Sequence, residues 1–299
     1  DFSLWQRELL QAEQQRVQLD YWSRQLCGVT PLKLPVDAPY PAHPSGRGGV
    51  QIFDLPEPLS RDLERLSKQY SSTSFMTLLA LFCALMHHYT GQDDICVGTP
   101  IAGRNQVELE DLVGFFVNTL VIRADFSCAG TFAELLGQLR KTTLEAFEHQ
   151  DVPFAKLVAE LKPERQSGRT PLFQVMFLMQ EEPHFDYIDG LEIEPVLDVS
   201  ASVAKFDLTL NVVNREQGLR CFLEYNADIF TADSAKKLLE NFSSLAAWVV
   251  ENVRVPFNRS VLLGVDESPR ENDSPATGLA MKNRVSGVGS RCALPRRRA

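Results

Sequence analysis

Residues 115–125 of this 299-residue chain read FFVNTLVIRAD, a run dense in β-branched and aromatic side chains that predicts a β-strand. Upstream, residues 93–100 read DDICVGTP, a short apolar run closed by Gly98 and Pro100, which predicts a second strand. Asn118 is the odd residue of the longer run, because an amide withdrawn from water costs about 1–3 kcal/mol unless it is hydrogen-bonded. A buried hydrogen-bond network and a ligand tunnel would satisfy that amide equally well.

Helical and strand-like patterns alternate on both sides of these two segments. Helices are predicted over residues 1–27, around Leu63 and Leu66, from Phe75 to Gly91, from the capping box of Thr131 and Glu134 to His149, and after Thr231. Further strands are predicted over residues 50–55, 172–180, 205–213 and 219–226, the last two joined by the turn NREQG into an antiparallel hairpin. Strands separated by helices, followed by adjacent strands, predict an α/β fold with a mixed β-sheet and packed helices.

Composition narrows the classes of function. The formal net charge of −9 and the pI of about 5.2 argue against nucleic acid as the main partner. Six scattered cysteines form no CxxC pair, so no metal site is indicated, and free thiols in a cytoplasmic protein are expected. No apolar run reaches the ~18 residues of a membrane span and no signal segment opens the chain, so we expect no membrane partner.

The two ends of the sequence suggest where the folded domain lies. The first residue is Asp1 rather than Met, which indicates a fragment or an excised domain. From residue 264 onward the sequence is polar and turn-rich and ends in PRRRA, which we interpret as a solvated end. We therefore expect one folded domain over residues 1–263 and a disordered tail or linker over residues 264–299.

Residues 85–94, LMHHYTGQDD, raise the question of a catalytic histidine pair. His87 and His88 fall in the last turn of a predicted helix, at the flank of its apolar face, where histidine suits the helix dipole. Adjacent helical residues point about 100° apart, so these two cannot easily share one ligand. We interpret both as exposed helix-end residues without a catalytic role.

Residues 149–153, HQDVP, offer a second acid–base candidate in His149 and Asp151, since a carboxylate can orient an imidazole. No activated nucleophile accompanies this pair, and Pro153 fixes the exit of the chain from a helix end where histidine is structurally comfortable. A structural role is therefore favoured here too. The sequence also lacks the Walker loop, GxSxG, HExxH and GxGxxG motifs of common enzyme classes.

Five stretches, in this order, resemble the condensation domains of nonribosomal peptide synthetases. They are DFSLWQRELL at residues 1–10, LVGFFVNTLVIR at 112–123, HQDVPFAKLV at 149–158, RQSGRTPLFQVMF at 165–177 and KFDLTLNVV at 205–213. The resemblance covers residues 1–263 and implies a chloramphenicol-acetyltransferase-like fold, in which two lobes face each other across a tunnel. It also implies peptide-bond formation, by attack of an amine on a carrier-bound thioester.

The chain departs from the family at its catalytic signature. That signature, HHxxxDG, belongs to the first lobe, upstream of the stretch that this sequence begins with. The segment at His87 imitates it but has Gln92 where the aspartate should be and Asp93 where the glycine should be. The resemblance therefore implies a C-terminal lobe without a catalytic base, and we expect this segment to be a decoy.

By resemblance, six residues are candidates for the tunnel or the lobe interface: Arg104, Asn118, Thr119, Asp151, Pro153 and Asp207. No cofactor or metal is implied directly, because the substrates of the family are carried on phosphopantetheine arms. The implied partners are peptidyl carrier domains, the N-terminal lobe and a neighbouring adenylation domain. Two alternatives stay open: a non-catalytic module that docks carrier or adenylation domains, and a stand-alone acyltransferase of the same broad fold.

Overall fold

The computed structural model describes residues 13–104, 106–163, 169–182 and 203–257, with side chains from residue 16 onward. The first twelve residues of the predicted opening helix and the predicted tail lie outside these ranges. The chain divides into two compact units, Asp1–Leu263 and Gly264–Ala299, and every described residue belongs to the first. The predicted division into a folded lobe and a disordered tail stays a prediction.

A six-stranded mixed sheet forms the centre of the described fold. Its strands are β1 (Gly48–Asp54), β2 (Asp94–Ile101), β3 (Asn118–Asp125), β4 (Val175–Glu181), β5 (Leu208–Arg215) and β6 (Gly218–Asn226). The spatial order is β1-β6-β5-β4-β2-β3, with β4 parallel to both β2 and β5 and the other neighbours antiparallel. The prediction of a mixed sheet with packed helices is confirmed, as is the β5–β6 hairpin.

Six α-helices accompany the sheet: α1 (Glu13–Gln25), α2 (Glu57–Gln69), α3 (Ser74–Thr90), α4 (Phe132–Glu148), α5 (Phe154–Leu161) and α6 (Ala232–Asn252). The capping box that opens α4 forms as predicted, since Thr131 Oγ1 accepts from the Glu134 main-chain N and Glu134 Oε2 accepts from the Thr131 main-chain N. α3 ends at Gly91, whose φ of 66° is the left-handed conformation that glycine adopts without strain.

α3 is the central helix of the core. All residues from Met76 to Met86 are buried, and a helix that is apolar on every side belongs inside a protein. Across the sheet interface, the ring of Phe177 on β4 lies 5.5 Å from that of Phe75 and 6.0 Å from that of Phe82. Each such buried ring contributes about 1.5–3 kcal/mol, so this packing fixes α3 against β2 and β4.

Three local predictions differ from the structure. The strand expected over residues 115–125 begins only at Asn118, because the preceding residues have left the sheet. The strand expected from residue 172 begins at Val175. α5 was not predicted, since its eight residues are too short for a clear helical period.

Two predictions from composition also have outcomes. Cys83, Cys96, Cys128 and Cys221 are free thiols as predicted, whereas Cys27 is disulfide-bonded. Burial raises the pKa of the Cys96 and Cys221 thiols to about 12, so both stay protonated and unreactive at neutral pH. Within the described ranges, no helix alone is long and apolar enough to cross a membrane, though α2 and α3 meet that criterion together across a bend of 106°.

Candidate functional site

Asn118 opens β3 and fastens the loop that follows α4. Its Nδ2 donates to the main-chain oxygens of Gln150 and Val152, both at 2.9 Å, and its Oδ1 accepts from the main-chain N of Phe154 at 3.0 Å. Both N–H groups and the carbonyl oxygen of the amide are therefore engaged by the protein. Of the two alternatives for this residue, the geometry favours the hydrogen-bond network.

α1 docks on the same loop through several contacts. Gln18 Nε2 donates to Asp151 Oδ2 at 2.8 Å, and Gln18 Oε1 accepts from the Asp151 main-chain N at 3.2 Å. Trp22 Nε1 donates to the His149 main-chain oxygen at 2.8 Å, and the ring of Tyr21 stacks on the His149 imidazole at 4.1 Å. We call this junction of α1, the loop and the start of β3 the corner.

The proposed acid–base pair does not form in the described part of the chain. His149 caps the C-terminus of α4, and its Nδ1 bonds the main-chain oxygen of Glu145 at 2.7 Å. Asp151 has Gln18 as its partner instead. Pro153 is the N-cap of α5 with φ of −59°, so it directs the chain from the loop into that helix. These contacts agree with the structural interpretation of the segment.

Arg104 lies beside the corner, in the connection between β2 and β3. Its Nη1 donates to the main-chain oxygen of Leu109 and, at 3.3 Å, to that of Glu110. Its guanidinium carbon lies 4.5 Å from the centre of the Phe116 ring, within cation–π range. Arg104 therefore shapes the connection that its own strand leads into.

The same connection exposes an unusual amount of apolar surface, which we call the apolar ledge. Its members are Val107, Leu112, Val113, Phe115 and Val117. Val113 is 105% exposed and Phe115 is 88% exposed, so neither side chain finds a partner within the lobe that would cover it. Five large apolar side chains exposed within eleven residues mark a surface that another molecule or segment covers.

Four of the other candidates lie at the end of the sheet next to the ledge. Asn118 stands opposite Ile101 in the register of β2 and β3, and Thr119 stands opposite Pro100. The loop with Asp151 and Pro153 is joined to Asn118 by the hydrogen bonds described above. The structure thus brings together Arg104, Asn118, Thr119, Asp151 and Pro153 along one end of β2 and β3.

Asp207 is the exception. The residue after it, Leu208, is level with Val175 and so with Val97 of β2, which lies four residues, about 13 Å, from Ile101. Asp207 therefore lies toward the opposite end of the strands from the corner. The six candidates do not form one site.

Asp207 has its own buried environment. Its Oδ2 accepts from the Tyr40 hydroxyl at 2.6 Å, and the Arg169 guanidinium carbon lies 4.0 Å from the centre of the Tyr40 ring. Burial raises the pKa of the Asp207 carboxyl above its usual range, while the Tyr40 hydrogen bond and the charge of Arg169 act in the opposite direction. This arrangement anchors the segment that carries Tyr40 onto the start of β5.

His87 and His88 end α3, as predicted, but their predicted exposure is wrong. The side chain of His87 is only 15% exposed, and its ring stacks on Phe126 at 4.2 Å. Its Nδ1 bonds the main-chain oxygen of Gln92 at 2.8 Å, and His88 is also partly buried. Both rings serve the packing of the helix end, because the chain returns along this face after Gly91.

The corner and the ledge offer apolar surface and oriented amides rather than a reaction centre. In the ranges that the structure describes, no group of three or more His, Cys, Asp or Glu side chains could hold a metal ion. Sequence reasoning missed Gln18, Tyr40 and the exposure of the ledge. The only signal for the ledge was a dense apolar run, and that run is equally typical of a buried strand.

Taken together, the mixed sheet with α3 and α4 packed on it defines an α/β lobe of the chloramphenicol-acetyltransferase-like class. A solved structure described as the complex of the X-domain and OxyB from teicoplanin biosynthesis matches 89% of this chain and 60% of its own with a TM-score of 0.79 and 26% identity. The family model described as the condensation domain matches residues 1–268. This chain belongs to the condensation-domain family, whose general function is peptide-bond formation in nonribosomal peptide synthetases.

Curated relatives point to the same family. Linear gramicidin synthase of Brevibacillus parabrevis has a stretch that is 42% identical over 270 residues, which are 89% of this chain. Phosphinothricin tripeptide synthetase PhsC of Streptomyces viridochromogenes is 39% identical over 248 residues, or 82% of the chain. The chain spans only 4% and 23% of the lengths of these two relatives.

Proposed function

We propose that this chain is the C-terminal lobe of a condensation domain and supplies one wall of a substrate tunnel. In this proposal the amine of one carrier-bound substrate attacks the thioester carbonyl of another. The C–N bond forms, the C–S bond breaks, and the phosphopantetheine thiol leaves with the amine's proton. The histidine that manages this proton comes from the partner lobe with the HHxxxDG signature, and the isolated chain is inactive.

The observation that carries the proposal is the apolar ledge beside the corner. An exposed surface of this kind is typical of interfaces and is unfavourable in a lone molecule. Its neighbours Arg104, Asn118 and Thr119 are residues that the family resemblance associates with the tunnel or the lobe interface. The His87 segment gives no competing catalytic centre, since its ring is committed to Phe126 and to a main-chain oxygen.

The proposal assigns partners and location as well. The substrates reach the tunnel on the phosphopantetheine arms of peptidyl carrier domains, and an adenylation domain neighbours the lobe in a cytoplasmic synthetase. No cofactor binds the lobe itself, because aminolysis of a thioester needs only positioning and proton transfer. The corner would contribute positioning, since hydrogen bonds on both sides fix its loop.

Reconstitution tests the proposal. The chain is mixed with two loaded carrier domains, with and without an N-terminal lobe that carries HHxxxDG, and the carrier-bound product is measured by mass spectrometry. We expect amide product only with the added lobe. Phe115→Ser should weaken this complementation, whereas Leu144→Ser, a change of a 42% exposed residue on α4, should not. Product formed by the chain alone would overturn the assignment.

A second candidate function is a docking module without chemistry. The solved structure of an X-domain in complex with OxyB favours it, because a domain of this fold there stands in complex with another protein. Under this alternative the chain and the added lobe would associate and bind a carrier domain, but no amide product would form. The same mixture therefore separates the two functions.

A further inference from the structure

A cleft outside the corner and the ledge lies between α2, the start of α3 and the C-terminal ends of β4 and β5. Its volume is about 220 Å³, and its lining includes the apolar side chains of Leu78, Met179 and Leu219. An apolar cavity of ~150 Å³ is enough to bind benzene, so this cleft has room for a small organic molecule. Its polar lining decides which one.

Arg215 provides the cleft with unused hydrogen-bond donors. Its side chain is 11% exposed, and its Nη2 donates to Asp54 Oδ1 at 2.6 Å. Its buried Nε has no acceptor among the residues that the structure describes. The two oxygens of Asp54 are also shared with Arg220, at 2.7 and 2.8 Å. A ligand oxygen, above all a carboxylate, would complete the contacts of this guanidinium from the cleft side.

Glu216 provides a charge of the opposite sign at the next residue. It is exposed, and no hydrogen bond or ion pair to it occurs in the described part of the chain, whereas the other acidic side chains of the lining are engaged. Glu57 pairs with Arg61, and Glu64 pairs with Lys68 at 2.6 Å. Three carboxylates against two guanidinium groups in the lining disfavour a multiply charged anion such as phosphate.

We propose that this cleft binds a free α-amino acid with an apolar side chain. The ligand's carboxylate meets Arg215 and its ammonium group meets Glu216, while its side chain lies on Leu78, Met179 and Leu219. Consecutive Cα atoms are about 3.8 Å apart, which suits a ligand that carries both charges on neighbouring atoms. The site is independent of the proposed function, because it involves neither the corner nor the ledge.

An amide NMR titration of the whole chain with L-leucine tests this site. We expect saturable shifts at residues 214–219 with a Kd on the order of 1 mM. Leucinamide lacks the carboxylate and N-acetylleucine lacks the ammonium group, so each should bind at least about tenfold more weakly, as expected for loss of a charge-assisted contact.

Variants complete the test. Glu216→Gln changes an exposed side chain and should weaken leucine binding about tenfold, and Arg215→Lys should weaken it similarly by removing the fork of donors. Glu251→Gln, at an exposed position near the end of α6, is the matched control and should bind as the wild type does. Thermal melts verify that each variant is folded. The proposal is overturned if residues 214–219 show no saturable shift, if the three ligands bind alike, or if Glu216→Gln leaves the affinity unchanged.

Discussion

Asn118→Ala should destabilise the lobe, because one side chain makes three hydrogen bonds to the loop after α4. Those bonds reach Gln150, Val152 and Phe154 at 2.9–3.0 Å. At about 0.5–1.5 kcal/mol net for each bond, the variant should lose about 1.5–4.5 kcal/mol of unfolding free energy. We expect a value in the lower half of that range, since Asn118 is only partly buried and water can replace some of the contacts. Urea unfolding followed by circular dichroism measures the loss.

Two further variants make this test specific. Asn118→Asp keeps the acceptor for Phe154 but places a carboxylate against two carbonyl oxygens, so it should be more destabilising than Asn118→Ala. Asn252→Ala removes a single side-chain bond, from Nδ2 to the Trp248 main-chain oxygen at 3.0 Å, and should cost about 0.5–1.5 kcal/mol. If Asn118→Ala costs no more than Asn252→Ala, or if the Asp variant is the more stable of the two, the network does not hold the loop.

Four other outcomes are expected. Phe115→Ser should leave the unfolding free energy within about 0.5 kcal/mol of wild type, because the ring is 88% exposed, and should reduce self-association in light scattering; unchanged association would clear the ledge as its cause. His87→Ala should cost about 1–2 kcal/mol in a denaturant titration, because it loses a hydrogen bond and the stack on Phe126, and a negligible cost would contradict that packing. Burial raises the pKa of Asp207, so the stability that its protonation adds is complete below the unfolded pKa of about 3.9 and is lost as the pH rises through the folded pKa. Asp207→Asn cannot titrate, so its unfolding free energy relative to wild type should rise over that window, and a constant difference would refute the sign. Limited proteolysis should remove residues 264–299 first, as their composition predicts, and protection up to the last residue would refute that division.

The secondary structure was largely predictable because its signals are local. Thr131 and Glu134 lie three residues apart, so their capping box is visible in the sequence and forms in the structure. Gly91 ends α3 for an equally local reason, its positive φ. The start of β3 was not predictable, since Phe115 and Val117 have strong strand propensity and only the missing neighbour strand keeps them out of the sheet.

The candidate site was predictable in its members but not in their arrangement. Family resemblance singled out the residues of the corner, and it also singled out Asp207, which lies toward the other end of the strands. Nothing in the sequence near Asn118 indicates that its partners are 32 to 36 residues further along. Gln18 is a still more distant contributor, since it meets Asp151 across 133 residues.

By itself the sequence determined the α/β class, the order of the main elements and the structural role of His87 and His88 at a helix end. These follow from spacing, capping and chain-turning residues, whose effects reach only a few positions. The tertiary structure alone decided that His87 is buried against Phe126, that the amide of Asn118 is satisfied by a loop, and that the ledge faces solvent. Burial and hydrogen-bond partners depend on which distant segments fold against a residue, so identical local patterns can end in a core, a network or an exposed surface.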